Sequence, residues 1–513
     1  MSLFRMSFER KLGTAGVCLL SGMVMGLAAG CGAGYRPVVT PTNPSGPASQ
    51  PESLTAVISS PSSTSAGVVN ILDYAGDTVM AQATLGPGPK AFTLDETGAN
   101  GYTLNSDGTI TNFPVTTTLQ QKNITFSSLS STANPVSFFS PSSGFYAADL
   151  DGNVVDVFAS IPATFVRPIP VDPTPIMVIG PSVVGQRDYA ITQGAVGSAT
   201  TCNNSRTSGP TGYADAIEVA SNTVDAKIAL GKCPVYAVQT PDSKRLFVLN
   251  RGDDTITVIN SQLNTLDQCT PFLNQSGQTV TCHPTLPLST TAVSATGITP
   301  PNGTTGMAAT AGPVYAEYNA AKSLLIVADY DGGTVSIIDV SLDEYGNDSA
   351  TFGTTYTVKV GNGSNPNPAS VTVLYDGSRA YTANQNDDST GNGSGSGTVS
   401  VINVDSHTLE KTIGVNGHPR TVVSTQNSQE GKVYVASPDT PYLTILRTDQ
   451  DIVDTTVLVQ GNVVDVRTSS QNGGTGNALN VSRMPGYGQP CNLSAQQIGT
   501  SPTLTACQEQ SVQ

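Results

Sequence analysis

A three-strand phrase that recurs about every 55 residues constrains this chain more than any other feature. Its clearest copy runs from Pro234 to Asn260, PVYAVQTPDSKRLFVLNRGDDTITVIN, where the runs VYAVQ, RLFVLN and TITVIN are split by the turn clusters TPDSK and RGDD. Seven prolines open such copies: Pro89, Pro135, Pro175, Pro234, Pro313, Pro368 and Pro419. Each is followed 11 to 15 residues later by a tetrad that starts bulky and ends polar: YTLN at Tyr102, YAAD at Tyr146, YAIT at Tyr189, FVLN at Phe247, IVAD at Ile326, YTAN at Tyr381 and YVAS at Tyr434. A third strand follows each time, as in TVSIID and TVSVIN.

Each part has a physical reason. Proline lacks an amide hydrogen and fixes φ, which suits the start of a strand and not its middle. Bulky and β-branched residues fit a pleated surface packed on both faces. The polar residue that ends the tetrad is expected to hydrogen-bond the backbone of the next turn, often of Asp-Gly type. A sheet of three or four short strands cannot hide two apolar faces by itself, so the copies must stack on one another. The arrangement that closes on itself is an all-β β-propeller of four-stranded blades.

The blade count turns on the ends. Upstream of Pro89, LTAVISS, GVVNILD and TVMAQATLG supply strands two to four of a further copy without its first strand. Downstream, NVVDVR (Asn462 to Arg467) has no blade of its own. Pairing the two would lock the ring and make eight blades, the count favoured here over seven.

The YxxN-like tetrads followed by DxTxxVID-like strands resemble the YVTN β-propeller repeats of bacterial and archaeal surface proteins. The resemblance covers about residues 54–467 and implies the fold; it says little about activity. The usual blade number of that family is seven.

Residues 1–30 read as an address. Arg5, Arg10 and Lys11 make a basic start, Leu12 to Ala29 are apolar, and LAAGC ends at Cys31. That ending resembles a bacterial lipobox, which implies cleavage before Cys31 and a diacylglycerol on its sulfur, with simple secretion as the alternative. Residues 31–53, rich in Pro, Ser and Gly, form a tether that cannot bury enough surface to fold. The expected place is therefore extracytoplasmic, on the outer membrane or cell surface, held to the membrane by lipid. Residues 468–513 are a polar tail with no strand pattern.

Lys and Arg number 23 against 38 Asp and Glu, giving a net charge of −15, so nothing supplies the basic face that nucleic acid requires. Besides Cys18 and Cys31, six cysteines remain: Cys202, Cys233, Cys269, Cys282, Cys491 and Cys507. In an exported chain they imply disulfides, and proximity suggests Cys202 with Cys233, Cys269 with Cys282 and Cys491 with Cys507. Two long insertions, Gly194 to Thr211 and Gln385 to Gly397, fall at the turn between strands two and three. That turn opens on the same face as the link between blades, which makes this rim the better place for binding. The largest insertion, about Leu263 to Ala311, leaves its blade without an identifiable fourth strand.

Motifs of catalysis are scarce. The three histidines, His283, His407 and His418, fit no metal-binding helix pattern. RGDD at Arg251 to Asp254 fills a turn that NSDGT and DYDGGT fill elsewhere, so it reads as structure, not adhesion. Asp149 with Asp151, and Asp329 with Asp331, resemble fragments of calcium loops, but hard cations take six to eight oxygens and each run stops after two carboxylates. The expectation is no cofactor, with calcium at these aspartates as the alternative. Three functions remain: a non-enzymatic module binding a protein or glycan, a lactonase-like hydrolase with its site at the channel mouth, and envelope scaffolding, which would show as co-purifying partners. Clustered Glu, Arg and His at the channel would favour the hydrolase, and a lining of Ser, Thr and Gly the binding module.

Overall fold

The computed structural model describes residues 54–469 apart from 74–76, 95–97, 129–134, 140–143, 160–163, 181–186, 195–210, 275, 289–292, 295–296, 299–310, 364–365, 388–396 and 426–430. Eight antiparallel blades form a ring. Within each blade the strands are lettered a to d from the axis outward.

Blade 1 holds the closure. Its strands b, c and d are Leu54–Ser60, Ala66–Asp73 and Val79–Pro87, and its strand a is the last of the chain, Asn462–Ser469. Val57 faces Val466 and Ala56 faces Arg467 in antiparallel register, so eight blades is the outcome. The strand runs two residues past the boundary expected at Arg467. Blades 2 to 7 open at Pro89, Pro135, Pro175, Pro234, Pro313 and Pro368, and blade 8 at Thr421, two residues after Pro419. The inner strands touch their neighbours all the way round, with Asn462–Ser469 set between Thr421–Ser424 and Pro89–Leu94.

The opening prolines do more than begin strands. In blades 2 to 7 the pairing of strand a with strand b shifts register just after the proline, a bulge repeated six times. The residue before the proline has positive φ in five of these blades: Gly88 at 50°, Thr174 at 64°, Cys233 at 48°, Gly312 at 59° and Asn367 at 51°. Glycine takes this conformation freely, whereas Thr174 and Cys233 hold it only because their surroundings fix it. The carbonyl of each accepts the amide that follows the tetrad, from Ser106, Gln193, Arg251, Tyr330 and Gln385. Each blade is thereby tied at its corner to the link that feeds it.

The polar end of the tetrad acts differently from the expectation above. Asn384 donates through Nδ2 to the hydroxyls of Thr398 (3.0 Å) and Ser400 (2.9 Å) in strand c, and Ser400 in turn accepts the amide of Gly361, which follows strand d of blade 6. Asn105 with Thr109, Thr111 and Gly86 makes the same joint, as does Asn250 with Thr255, Thr257 and Gly231. The turn backbone is bonded as expected at Asp149, which accepts Gly152 N–H. The reason is burial: Asn105, Asn250 and Asn384 are fully enclosed, where an amide must find partners inside the protein.

The large insertion in blade 5 interrupts strand d. Thr265–Leu266 pairs with one end of strand c and Thr285–Pro287 with the other. Between them the chain leaves the sheet, closed at its neck by the disulfide Cys269–Cys282, which matches the expected pair. Cys233 is also disulfide-bonded; Cys202, Cys491, Cys507, Cys31 and the tail after Ser469 lie outside the described residues. No helix among the described residues is long and apolar enough to cross a membrane.

Two outcomes follow. Asn384→Ala should lower stability by about 1–3 kcal/mol, the usual cost of stranding buried hydrogen-bonding groups, measured by urea unfolding. Truncation after Gly461 removes the strand that closes blade 1, so the truncated chain should lose the single cooperative transition of the full chain in calorimetry.

Candidate site at the ring axis

The side chains of the inner strands decide what the axis can do. Most of those described are apolar or small, such as Met177, Val371 and Val422. Charged groups break this pattern at Lys90 in strand a of blade 2, at Glu317 in strand a of blade 6, at Arg420 just ahead of strand a of blade 8, and at Asp465 and Arg467 in the closing strand. Lys90 is half-buried and within electrostatic reach of Asp149 and Asp151; the other four are buried, with Arg420 and Arg467 at 0% exposure.

Arg467 sits at the centre of the group. Its Nη1 donates to Asp465 Oδ1 and to the carbonyl of Val466, both at 2.8 Å. Its guanidinium lies over the Phe92 ring of blade 2, 5.9 Å from the centroid. Across the axis, Tyr236 of blade 5 and Tyr315 of blade 6 pack with centroids 4.7 Å apart. Burial pushes both phenols up, and the charge of Arg467 opposes that rise, so this one guanidinium acts on the blade opposite its own. Arg420 donates to the carbonyl of Val464 at 2.6 Å. Glu317 Oε1 accepts the amide of Val373 at 3.2 Å; burial pushes its carboxyl up to about 8, which keeps it protonated at neutral pH. Burial also raises Asp465, with Arg467 and Arg420 acting against it.

The axis therefore carries Glu and Arg but no His. His418 is held at the start of blade 8, its Nδ1 2.5 Å from Asp439 Oδ2 and its amide on Asp439 Oδ1. His283 pairs with Asp348 at 2.8 Å beneath the blade 5 insertion, where buried Arg245 joins Asp267 and Asp348. His407 stacks on Tyr356 at 3.6 Å.

The other positions singled out in the sequence are joints. Arg251 of RGDD is buried and grips Asp331 of blade 6 through Nε (3.1 Å) and Nη2 (3.2 Å), while Asp254 accepts Gly312 N–H. Asp329 accepts the hydroxyls of Thr334 and Ser336 in its own blade. Asp149 is buried, whereas Asp151 is exposed. Among the described residues, no three His, Cys, Asp or Glu side chains are grouped to hold a metal.

Sequence reasoning missed the axial group and a second set of joints. Arg187, Arg245, Arg379 and Lys432, each two residues before its tetrad, all enter ion pairs, with partners that include Glu218, Asp348, Asp451 and Asp77. The signal was present as a basic residue at one repeat position. For the axis, the signal was a charge in VYAEYN at a position where every other copy carries an uncharged residue, such as Val238 and Val423, and two charges in NVVDVR.

No protein-family model matches the chain, and no curated protein matches it. Solved structures do. Dihydro-heme d1 dehydrogenase NirN, in complex with DHE, superposes with a TM-score of 0.53 at 10% identity, over 83% of this chain and 77% of that one. Apo AztD from Citrobacter koseri superposes with a TM-score of 0.50 at 10% identity, over 81% and 97%. At such identities the likeness is one of fold.

Asp329 offers a test of the buried joints. It occupies the place that Asn holds in blades 2, 5 and 7, and burial pushes its carboxyl up to about 7. Its folded pKa lies above the unfolded value, so the folded state keeps a proton that the unfolded chain loses. Its contribution is complete below about pH 4 and is lost as pH rises toward 7. Asp329→Asn should therefore gain on the wild type between pH 5 and 8, by roughly 1–4 kcal/mol, in denaturant titrations at each pH.

Proposed function

We propose that this chain is an extracytoplasmic propeller, lipid-anchored through Cys31, that serves as a binding or scaffold module for a protein or glycan. The observation that carries it is the ring itself: eight blades in which the strand ends joined by both long b–c connections, Thr192 with Thr211 and Asn384 with Thr398, lie on the face that carries the links between blades. A rigid ring supports variable loops on one rim without disturbing its core. The Cys269–Cys282 disulfide supports an oxidising compartment, and the basic, apolar and LAAGC segments before Cys31 support the anchor. The YxxN tetrads support kinship with the YVTN propellers of surface proteins.

A lactone-opening hydrolase is the competing reading, and the Glu and Arg side chains near the axis speak for it. Against it, Glu317, Arg420 and Arg467 are closed to solvent, and the described aspartates of the rim, among them Asp331, Asp387 and Asp439, are engaged in joints between strands and links.

Metabolic labelling with a palmitate analogue tests the anchor: the wild type should carry label and float with membranes, and Cys31→Ser should do neither. Replacing 388–396 with a two-residue turn should leave the unfolding midpoint within a few degrees and abolish cross-linking to the envelope partner of the wild type. A retained partner, or lactone turnover by the purified protein, would overturn the binding role.

A further inference from the structure

Arg467 has a feature that neither the ring nor the rim explains. A guanidinium presents two donor edges, and the planar one formed by Nε–H and Nη2–H matches the two oxygens of a carboxylate. Arg251 uses that edge on Asp331, and Arg447 uses it on Asp449. In Arg467 the protein bonds are made by Nη1, whereas Nε and Nη2 find no acceptor among the described residues although the side chain is fully buried. Leaving two charged N–H groups unbonded inside a protein is costly, so an acceptor outside the described residues is called for.

The surroundings say what it should be. Two guanidinium groups, Arg420 and Arg467, and one described carboxylate, Asp465, lie near the axis, with Glu317 held protonated by burial. The Phe92 ring lies along the guanidinium, and the Tyr236–Tyr315 pair packs on the blades across the axis. A planar carboxylate gives each N–H of the Nε–Nη2 edge its own oxygen, whereas a spherical ion has to share one atom between the two.

We propose that the Nε–Nη2 edge of Arg467, at the axis of the ring, seats a small carboxylate anion of about the size of formate or acetate. Arg467 rides on the closing strand Asn462–Ser469, so the anion is enclosed when that strand pairs with Leu54–Ser60. Binding and ring closure are then linked: a ligand that binds the closed ring alone raises its stability with concentration. The site does not depend on which partner the rim takes.

The test is thermal unfolding of the full chain in rising formate, with chloride at equal ionic strength as the reference. The wild type should show a midpoint that climbs with formate beyond the chloride series, and carbon-13 formate should give a distinct bound resonance. Arg467→Met should lose both, and Arg467→Lys, which keeps the charge without the planar fork, should lose most of the formate-specific rise. A wild-type response to formate no larger than to chloride, or an equal response in Arg467→Lys, would overturn the site. Should Arg467→Met fail to fold, the wild-type comparison and Arg467→Lys still decide the matter.

Discussion

The structure depends on one strand pairing, that of Asn462–Ser469 with Leu54–Ser60. A four-stranded blade has two apolar faces and is stable only between neighbours, so a chain of blades left open exposes a face at each end. Bringing the last strand to the inner edge of the first blade removes both ends together. The burial of Ala56, Val57, Ile58, Val463 and Val466 shows how completely this is done. Hydrophobic burial there is ordinary in kind, but among the described strand pairings this one joins residues some 400 positions apart in sequence. The other blades are assembled from neighbouring segments.

Between the blades, polar groups carry much of the specificity. An Asn–hydroxyl–glycine amide joint recurs in blades 2, 5 and 7, and basic residues ahead of the tetrads meet acids in ion pairs. Apolar faces alone would tolerate slipping of one blade on the next. A buried amide that must meet two hydroxyls and indirectly the next backbone does not, because a slipped register would strand every one of these groups. In a chain with 12% charged residues, this use leaves few charges over. RGDD is an instance: its arginine is enclosed against Asp331 and Tyr330, as an internal fastener must be.

The repeat made most of the architecture legible, because a tetrad with an aromatic head and a polar tail has few uses other than a strand between two strands. Strand order, the closing partner and the Cys269–Cys282 pair could all be read from spacing. Three things could not. The bulge after each proline comes from where the tertiary ring places the strand, and the hydroxyl partners of Asn250 and Asn384, in the next strand of the same blade, are themselves bonded by a glycine amide of the preceding blade. The split fourth strand of blade 5 was hidden because its two halves, Thr265–Leu266 and Thr285–Pro287, are too short to show alternation. The axial residues were missed for a related reason: strand a looks apolar in every copy until copies are aligned position by position.

That alignment changes how the axis should be understood. In a ring of near-identical blades, each inner strand would present the same side chain and the axis would be symmetric. Here blade 6 offers Glu317, blade 8 is preceded by Arg420, and blade 1 offers Asp465 and Arg467, while blades 4 and 7 offer Met177 and Ser370. Folding alone gives no cause for this asymmetry, since an apolar side chain of similar volume commonly does as well as a buried ion pair. A buried arginine that bonds Asp465 through Nη1 and leaves its carboxylate-matching edge without a partner among the described residues is hard to account for as scaffolding. It is readily understood if the closing strand brings with it the recognition group for something held at the centre.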